Sequence, residues 1–170
     1  KDTLRVPVEV TGLLKPRPIS FANEVIPIQT KATCNSGGCH GKAEGQNGFK
    51  WSLFGFEPQD DYEYIAKEAR GRRVFAAAPA QSLLLLKATG SVPHAGGKRL
   101  DTKSDTYELL KRWVAEGARP SPANAPSLDC IEVQPASTVL ARGGKLQASV
   151  FAHFRDGSKR DVTRFAVLEA

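Results

Sequence analysis

The segment from Cys34 to His40 constrains this chain more than any other feature. It reads Cys-Asn-Ser-Gly-Gly-Cys-His, so two thiols and an imidazole lie within seven residues. Glycine remains frequent up to Gly55, and this composition predicts an irregular loop rather than a helix or a strand. Three reactive side chains this close together on a loop predict a local binding or redox site.

The order of these three side chains favours covalent haem attachment. In the c-type signature, two cysteines form thioethers with the haem vinyl groups, and the histidine directly after the second cysteine ligates the iron. Four residues separate Cys34 from Cys39, whereas the common signature has two; Gly37 and Gly38 supply the backbone freedom that a wider loop needs. We interpret Cys34, Cys39 and His40 as the attachment site of one haem c per chain, with His40 as an iron ligand.

Three other interpretations of this segment remain open. Cys34 and Cys39 can form a disulfide beside an incidental histidine. A zinc site is less favoured, because zinc takes four ligands and the chain has no second cysteine pair and only two further histidines. A thioredoxin-like redox pair has two residues between its cysteines rather than four.

The second axial ligand of a haem iron has to be something other than methionine, because the chain contains none. We favour His94, which lies in the loop Val92-Pro-His-Ala-Gly-Gly, where a chain can cover the second face of a haem. An exposed loop histidine and an open sixth position are the alternatives. His153 lies on a predicted strand in the last part of the chain, so we interpret it as a solvated strand residue.

A haem also needs an apolar pocket and partners for its two propionates. Phe49, Trp51 and Phe54 are candidates for the pocket walls, although ordinary core packing explains them equally well. Arg72 and Arg73 are candidates for pairing with the propionates, with a solvated turn as the alternative.

The hydrophobic pattern changes from helical to strand-like along the chain, and this predicts a mainly α fold with a small β segment. Helical spacing is found from Ser20 to Ile28, Gln59 to Arg70, Gln81 to Ala88 and Ser104 to Gly117. Period-two patterns after residue 128 predict strands with a hairpin turn at Asp156-Gly157. We divide the chain into an N-terminal strand and linker (1–17), a haem domain (18–119), a proline- and serine-rich linker (120–127) and a β segment (128–170). For Cys130, in that segment, we favour a buried thiol; half of an intermolecular disulfide and a residue with no role are the alternatives.

Residues 18 to 119 resemble the planctomycete-type cytochrome c domain. The resemblance rests on Phe21-Ala-Asn-Glu-Val, the Cys34 to Lys42 segment, Gly45-Gln-Asn-Gly-Phe-Lys-Trp-Ser-Leu-Phe-Gly-Phe, Gly71-Arg-Arg and Ser82-Leu-Leu-Leu-Leu-Lys-Ala-Thr-Gly-Ser-Val-Pro-His-Ala-Gly-Gly. It implies a cytochrome c-like helical fold around the haem, crossing first and last helices, and His94 in the position where other cytochromes have methionine.

Residues 128 to 170 resemble the opening half of a bacterial immunoglobulin-like domain of group 2. Residues 4 to 12 resemble a last strand of such a domain. We therefore expect the N-terminal strand to pair with the C-terminal strands and to cover their edge.

Net charge and hydropathy indicate which classes of partner the chain can bind. The 24 basic and 18 acidic residues give a net charge of +6, which favours an acidic redox partner protein or an anionic polysaccharide. We find no nucleic-acid-binding motif, and the longest apolar run, Leu83 to Leu86, is too short to span a membrane. The first residues do not read as a signal peptide, so we expect a mature form or an excised fragment.

The expected function is electron transfer by a monohaem cytochrome module rather than catalysis by an enzyme. Because thioether attachment occurs outside the cytoplasmic membrane, we expect an extracytoplasmic location, in the periplasm or cell envelope. The alternative is a surface adhesion module that recognises acidic polysaccharide, in which a haem has a structural or sensory role.

Overall fold

The computed structural model describes residues 4–10 and 17–168, which contain short helices and one three-stranded antiparallel sheet. The α-helices are α1 (Ile26–Lys31), α2 (Pro58–Tyr62), α3 (Leu83–Ala88) and α4 (Asp105–Ala115), and the strands are β1 (Leu128–Gln134), β2 (Ser149–Phe154) and β3 (Lys159–Asp161). Single π turns span Phe21–Val25 and Glu63–Lys67, and 3₁₀ turns span Leu53–Gly55, Glu68–Gly71 and Pro79–Gln81.

The first helical segment begins where the sequence predicts, at Ser20. The Ser20 hydroxyl accepts a hydrogen bond from the amide of Asn23, as an N-cap does. The helical segment contains Pro27 and continues to Lys31. The π turn Phe21–Val25 leads into α1 with Pro27 in its first turn, where the missing amide hydrogen of proline breaks no helical hydrogen bond.

Helix α4 confirms the strongest helical pattern of the sequence. Ser104 caps it by accepting from the amide of Tyr107 at 3.2 Å. Its buried side chains lie at helical spacing: Tyr107, Leu110, Trp113 and Val114. Gly117, with φ of 91°, ends the helical segment in the left-handed region that glycine adopts easily.

The expectation of a mainly α, cytochrome c-like fold is wrong. About 30% of the structure is helical and 11% is strand, and three of the four α-helices have only five or six residues. The pattern from Gln59 to Arg70 predicted one helix, but α2 passes into a π turn and then a 3₁₀ turn in which Ala69 and Arg70 have φ of 53° and 60°. The helical turns end at Glu68, whose ψ of 162° is extended, and the left-handed residues follow it, although the spacing of apolar residues continues.

One aromatic cluster holds the helical segments together. The ring of Phe21 lies 5.5 Å from Trp113, 6.2 Å from Trp51 and 5.4 Å from Tyr62, measured between centroids. Phe21, Trp51 and Trp113 are each at most 2% exposed. The first and last helical segments therefore meet in the core, and Trp51 attaches the glycine-rich loop to them.

The sheet lies in the last part of the chain, as the sequence predicts. Gly157, with φ of 79°, makes the predicted turn between β2 and β3. Val150, Ala152 and Phe154 are buried on one face of β2. Cys130 is exposed on β1, so the expectation of a buried thiol is wrong; the side chain lies on the opposite face from the buried residues of the sheet.

The expected pairing of an N-terminal strand with this sheet is also wrong for the residues that the structure describes. Residues 4–10 form no strand and are exposed, and the sheet contains β1, β2 and β3. Residues 11 and 12 of the predicted strand lie outside the described residues. Nothing in the described sequence between residues 17 and 168 forms a helix long and apolar enough to cross a bilayer.

The segment predicted as a linker, residues 120–127, contacts the start of the first helical segment. The Ser121 hydroxyl accepts from the amide of Ala22 at 2.9 Å and lies 3.1 Å from the hydroxyl of Ser20. Asn23 donates to the carbonyl of Pro126 at 3.1 Å. These bonds hold the segment against the helical part of the molecule.

Candidate functional site

The Cys34 to His40 segment forms a tight loop directly after α1. Thr33 turns the chain with φ of 59°, and the amide of Cys34 donates to the carbonyl of Gln29 at 2.9 Å. The amide of His40 then donates to the carbonyl of Cys34 at 3.0 Å. This bond closes the loop, so the four intervening residues bring Cys39 and His40 back towards Cys34.

Gly41 allows this closure. A Cβ atom at Gly41 would collide with the backbone carbonyl of Asn35, so only glycine fits where the loop passes its own start. Asn35 is fully buried and donates to the Thr30 hydroxyl at 2.8 Å. Gly37 and Gly38, the predicted source of backbone freedom in this loop, make no such close contact.

Cys34 and Cys39 are free thiols and both are partly buried. Burial and, to a smaller extent, the neighbouring Cys39 raise the pKa of Cys34 to about 11, although the positive charge of Arg99 opposes the shift. Cys34 is therefore protonated at neutral pH. Both thiols remain available for covalent attachment, and the structure contains no Cys34–Cys39 disulfide.

His40 is oriented by a single backbone group. Its Nδ1 lies 3.0 Å from the carbonyl oxygen of Phe49, and because a carbonyl only accepts, Nδ1 carries the hydrogen. Nε2 is then the nitrogen with a free lone pair. Burial lowers the pKa of His40; the bond to Phe49 opposes this, and His94 and Arg73 lower the pKa further. The ring is thereby held neutral with Nε2 available as a ligand.

His94 has the same arrangement on a different loop. Its Nδ1 donates to the carbonyl of Gly97 at 3.0 Å, which again leaves Nε2 free. Gly97, with φ of 71°, turns its carbonyl back towards the histidine. A Cβ atom at Gly96 would lie 2.9 Å from Cε1 and 3.2 Å from Nε2 of His94, so glycine at this position makes room for the ring.

The fold brings the rings of His40 and His94 together as a nearly parallel pair. Their ring centroids are 6.3 Å apart and their planes differ by 7°. A metal–imidazole bond is about 2.0 Å long and a ring nitrogen lies roughly 1.2 Å from its centroid, so two imidazoles on opposite sides of one metal ion have centroids about 6.4 Å apart. The observed separation matches this value.

The donor set fits a c-type haem. His40 and His94 would hold a haem iron, which supplies one-electron chemistry when bound, and the two thiols that precede His40 in the chain would attach the porphyrin. Within residues 4–10 and 17–168, no group of three or more His, Cys, Asp or Glu side chains is placed to hold a metal ion by itself.

The three aromatic residues predicted as pocket walls have different environments. Phe49 is half-buried, with its ring 4.8 Å from His40 and 5.4 Å from Trp51. Trp51 is 2% exposed in the core, and its amide donates to the carbonyl of His40 at 2.9 Å. Phe54 is 62% exposed and has φ of 54°; its amide donates to Asn35 beside the cysteine loop. Phe49 is thus the predicted wall residue whose ring packs beside the ring of His40.

The two arginines predicted to pair with propionates also differ. Arg72 is exposed. Arg73 is buried, donates to the backbone carbonyls of Tyr64 and Gly48, and places its guanidinium 4.6 Å from the Phe49 ring centroid. Arg73 joins the glycine-rich loop to the segment after α2. Pairing of either arginine with a propionate stays a prediction.

Sequence reasoning missed Arg99. Its guanidinium donates to the Thr33 hydroxyl at 3.0 Å, close enough to Cys34 to affect the pKa of that thiol. Beside it is a cleft of about 330 Å³ whose lining includes Ile28, Lys31 and Leu100. The only signal in the sequence was a basic pair, Lys98-Arg99, directly after the two glycines that follow His94.

No protein-family model, curated protein or solved structure matches this chain. The geometry of the two histidines and the two cysteines is therefore the basis on which a function can be argued.

Proposed function

We propose that this chain is a monohaem c-type cytochrome module for electron transfer, with the haem attached through Cys34 and Cys39 and the iron ligated by His40 and His94. The observation that carries the proposal is the pair of nearly parallel imidazoles, with ring centroids 6.3 Å apart, one of which belongs to a Cys-x₄-Cys-His segment. The proposal rests on this site and not on the overall fold.

Two backbone carbonyls orient His40 and His94 as ligands. The hydrogen bonds from Nδ1 to Phe49 and to Gly97 fix the tautomer and the ring orientation, and such bonds raise the basicity of a ligating imidazole. Cys34 and Cys39 anchor the group covalently on the His40 side. When bound, haem iron supplies one-electron exchange between its ferric and ferrous states. The residues of the chain determine which side chains ligate the iron, how those side chains are oriented and how accessible the haem is.

The proposed partner is an acidic redox protein, and the proposed location is extracytoplasmic. The net charge of +6 favours encounter with an acidic surface. Three basic side chains are exposed: Lys42 follows the cysteine loop, Arg72 precedes Arg73, and Arg99 bonds to Thr33 just before the cysteine loop. Attachment through two thioethers takes place outside the cytoplasmic membrane, which gives the location.

The test is expression in a bacterial host that is competent for c-type haem maturation, followed by absorption spectroscopy. We expect haem that stays with the protein after acid-acetone extraction and sharp low-spin bands after reduction with dithionite. A His94→Ala variant is expected to become high-spin while keeping its haem. Conversion of both Cys34 and Cys39 to serine is expected to abolish covalent attachment.

The chain contains matched controls for both changes. His153 is bonded to Glu132 on the sheet and Cys130 is exposed on β1, so His153→Ala and Cys130→Ser are expected to keep covalent haem and the low-spin spectrum. A colourless protein from the competent host would overturn the proposal. A low-spin spectrum that survives His94→Ala would overturn the assignment of His94.

A further inference from the structure

Strand β1 forms an open edge of the sheet. The strand order is β1-β2-β3, so β2 pairs with one side of β1 and no strand of the described residues pairs with the other. An unpaired edge presents a row of amide and carbonyl groups that can accept another strand. The edge is seven residues long, from Leu128 to Gln134.

The backbone groups of two apolar residues point out of this edge. The carbonyl of Val150 accepts from the amide of Val162, and the amide of Val150 donates to Thr163, so Val150 bonds on the side away from β1. Val133, its partner on β1, is therefore in a non-hydrogen-bonded pair and directs its own amide and carbonyl outwards. Ile131, two residues earlier, does the same.

The side chains of these residues lie on an apolar face that is only half covered. Because Ile131 faces Ala152 and Val133 faces Val150, they share the face on which β2 is buried. Val150 and Ala152 are each 3% exposed, whereas Ile131 is 51% and Val133 is 39% exposed. The covered face thus ends at β2, and β1 leaves its apolar side chains in solvent.

Residues 4–10 have the complementary pattern. The segment reads Leu-Arg-Val-Pro-Val-Glu-Val, with apolar residues at each even position, and those four side chains are between 63% and 87% exposed. Four exposed aliphatic side chains at a spacing of two match the apolar face of one strand. Pro7 lies in the other set of positions, together with Arg5 and Glu9.

We propose that residues 4–10 of a second copy of this chain add to the open edge of β1 as an antiparallel strand. In that direction, the even-numbered residues both cover the apolar face and direct their amides to Ile131 and Val133. Arg5, Pro7 and Glu9 then direct their backbone groups to solvent, so the missing amide hydrogen of Pro7 breaks no bond. A parallel strand with the same face inwards would place Pro7 against β1.

A second copy is the occupant that the described structure favours. In the same chain, residues 4–10 lie off the sheet with their apolar side chains exposed, so each copy supplies both this segment and the open edge of β1. A reciprocal exchange satisfies both edges in a two-fold symmetric dimer. The added strand ends the sheet with Pro7 on its outer side, which discourages further strand addition.

The test compares two proline variants of the full chain by sedimentation equilibrium. Val8→Pro removes an amide hydrogen on the pairing side, and Glu9→Pro removes one on the solvent side, so the pair is matched in residue type and position. We expect a concentration-dependent dimer for the unmodified chain. Val8→Pro is expected to raise its dissociation constant about tenfold or more, and Glu9→Pro less than about threefold.

A second measurement places the contact. Ile131→Lys changes the exposed face of β1, whereas Cys130→Ser changes the opposite face, and only the first is expected to weaken the dimer. A chain that stays monomeric at all concentrations, or a dimer that Val8→Pro leaves intact, would overturn the proposal. Equal weakening by Val8→Pro and Glu9→Pro would overturn the antiparallel arrangement.

Discussion

At the scale of single residues, two glycines determine the conformations of the loops that carry His40 and His94. Gly41 lets the cysteine loop close against the carbonyl of Asn35, and Gly96 leaves space beside the ring of His94. At Gly96 the nearest atoms belong to the end of a flexible side chain rather than to backbone. A methyl group there would therefore displace the ring at little expense in folding stability.

We predict that Gly96→Ala converts the haem-loaded protein from low-spin to high-spin without lowering its melting temperature. The added Cβ would lie 2.9 Å from Cε1 of His94, which pushes Nε2 out of line with His40. Absorption spectroscopy and thermal unfolding check the two parts. Gly38→Ala is the control, because nothing lies within 4 Å of a Cβ at that position. Unchanged low-spin bands in Gly96→Ala would show that the loop absorbs the methyl group.

We also predict that His94→Met raises the midpoint potential of the haem. Methionine in place of a histidine ligand raises the potential of a cytochrome c. Redox titration of the reduced and oxidised spectra measures the change. A fall, or no change, with the low-spin spectrum retained would contradict the ligand assignment.

At the scale of elements, a buried carboxylate joins α2 to the loop that carries Trp51. Asp61 is fully buried on α2; its carboxylate accepts from the amide of Ser52 and from the Ser52 hydroxyl, the latter at 2.7 Å. Ser52 in turn accepts from the amide of Glu57 just before α2. Asp61 thus fixes both the start of the helix and the end of the loop.

Asp61→Ala is expected to lower the free energy of unfolding by about 1–3 kcal/mol, because it leaves the Ser52 amide without its partner. Chemical denaturation measures the loss. Asp60→Ala is the matched control, since Asp60 is the exposed neighbour on the same helix, and it is expected to change stability by less than about 0.5 kcal/mol. Equal losses in both variants would contradict the role of Asp61.

The burial of the Asp61 carboxylate predicts that folding stability depends on pH. Burial raises the pKa of Asp61 above its usual value, although the bonds from Ser52 oppose the shift. The folded chain then binds this proton more tightly than the unfolded chain, so the contribution of Asp61 to stability decreases as pH rises from 3.8 through the raised pKa. Denaturation at several pH values should show this slope, and Asp61→Asn should remove it. If Asp61→Asn shows a slope of the same size, another titrating group causes the pH dependence of stability.

At the scale of the whole molecule, residues 119–127 connect the helical part to the sheet through specific bonds. Trp113 donates to the carbonyl of Arg119 at 2.8 Å, Ser121 binds the first helical segment, and the amide of Arg155 donates to the carbonyl of Ser127 at 3.0 Å. Phe165, beyond the sheet, belongs to the same buried cluster as Phe21. The two parts therefore pack against each other.

Ser121→Ala is expected to increase hydrogen exchange at the Ala22 amide by about three- to tenfold, which corresponds to the loss of about 0.5–1.5 kcal/mol for one hydrogen bond. Exchange measured by NMR at that amide is the readout. Ser127→Ala is the control, because Ser127 bonds through its backbone carbonyl. An unchanged exchange rate at Ala22 would mean that water replaces the serine hydroxyl without loss.

The sequence alone determined the features that depend on short spacing. Helical segments form from Ser20 and from Ser104, and Asp156-Gly157 makes a hairpin turn, because each depends on backbone geometry over a few residues. Local pattern failed where a helix ended without a proline or glycine, as at Glu68, and the mainly α expectation was wrong.

Only the tertiary structure decided which distant residues meet. The 6.3 Å separation of His40 and His94, the burial of Arg73 against backbone carbonyls and the open edge of β1 all depend on how separate segments pack on the Phe21, Trp51 and Trp113 core. No spacing along the chain encodes such distances, because burial of apolar surface is non-directional and the contacts that result join residues far apart in the sequence.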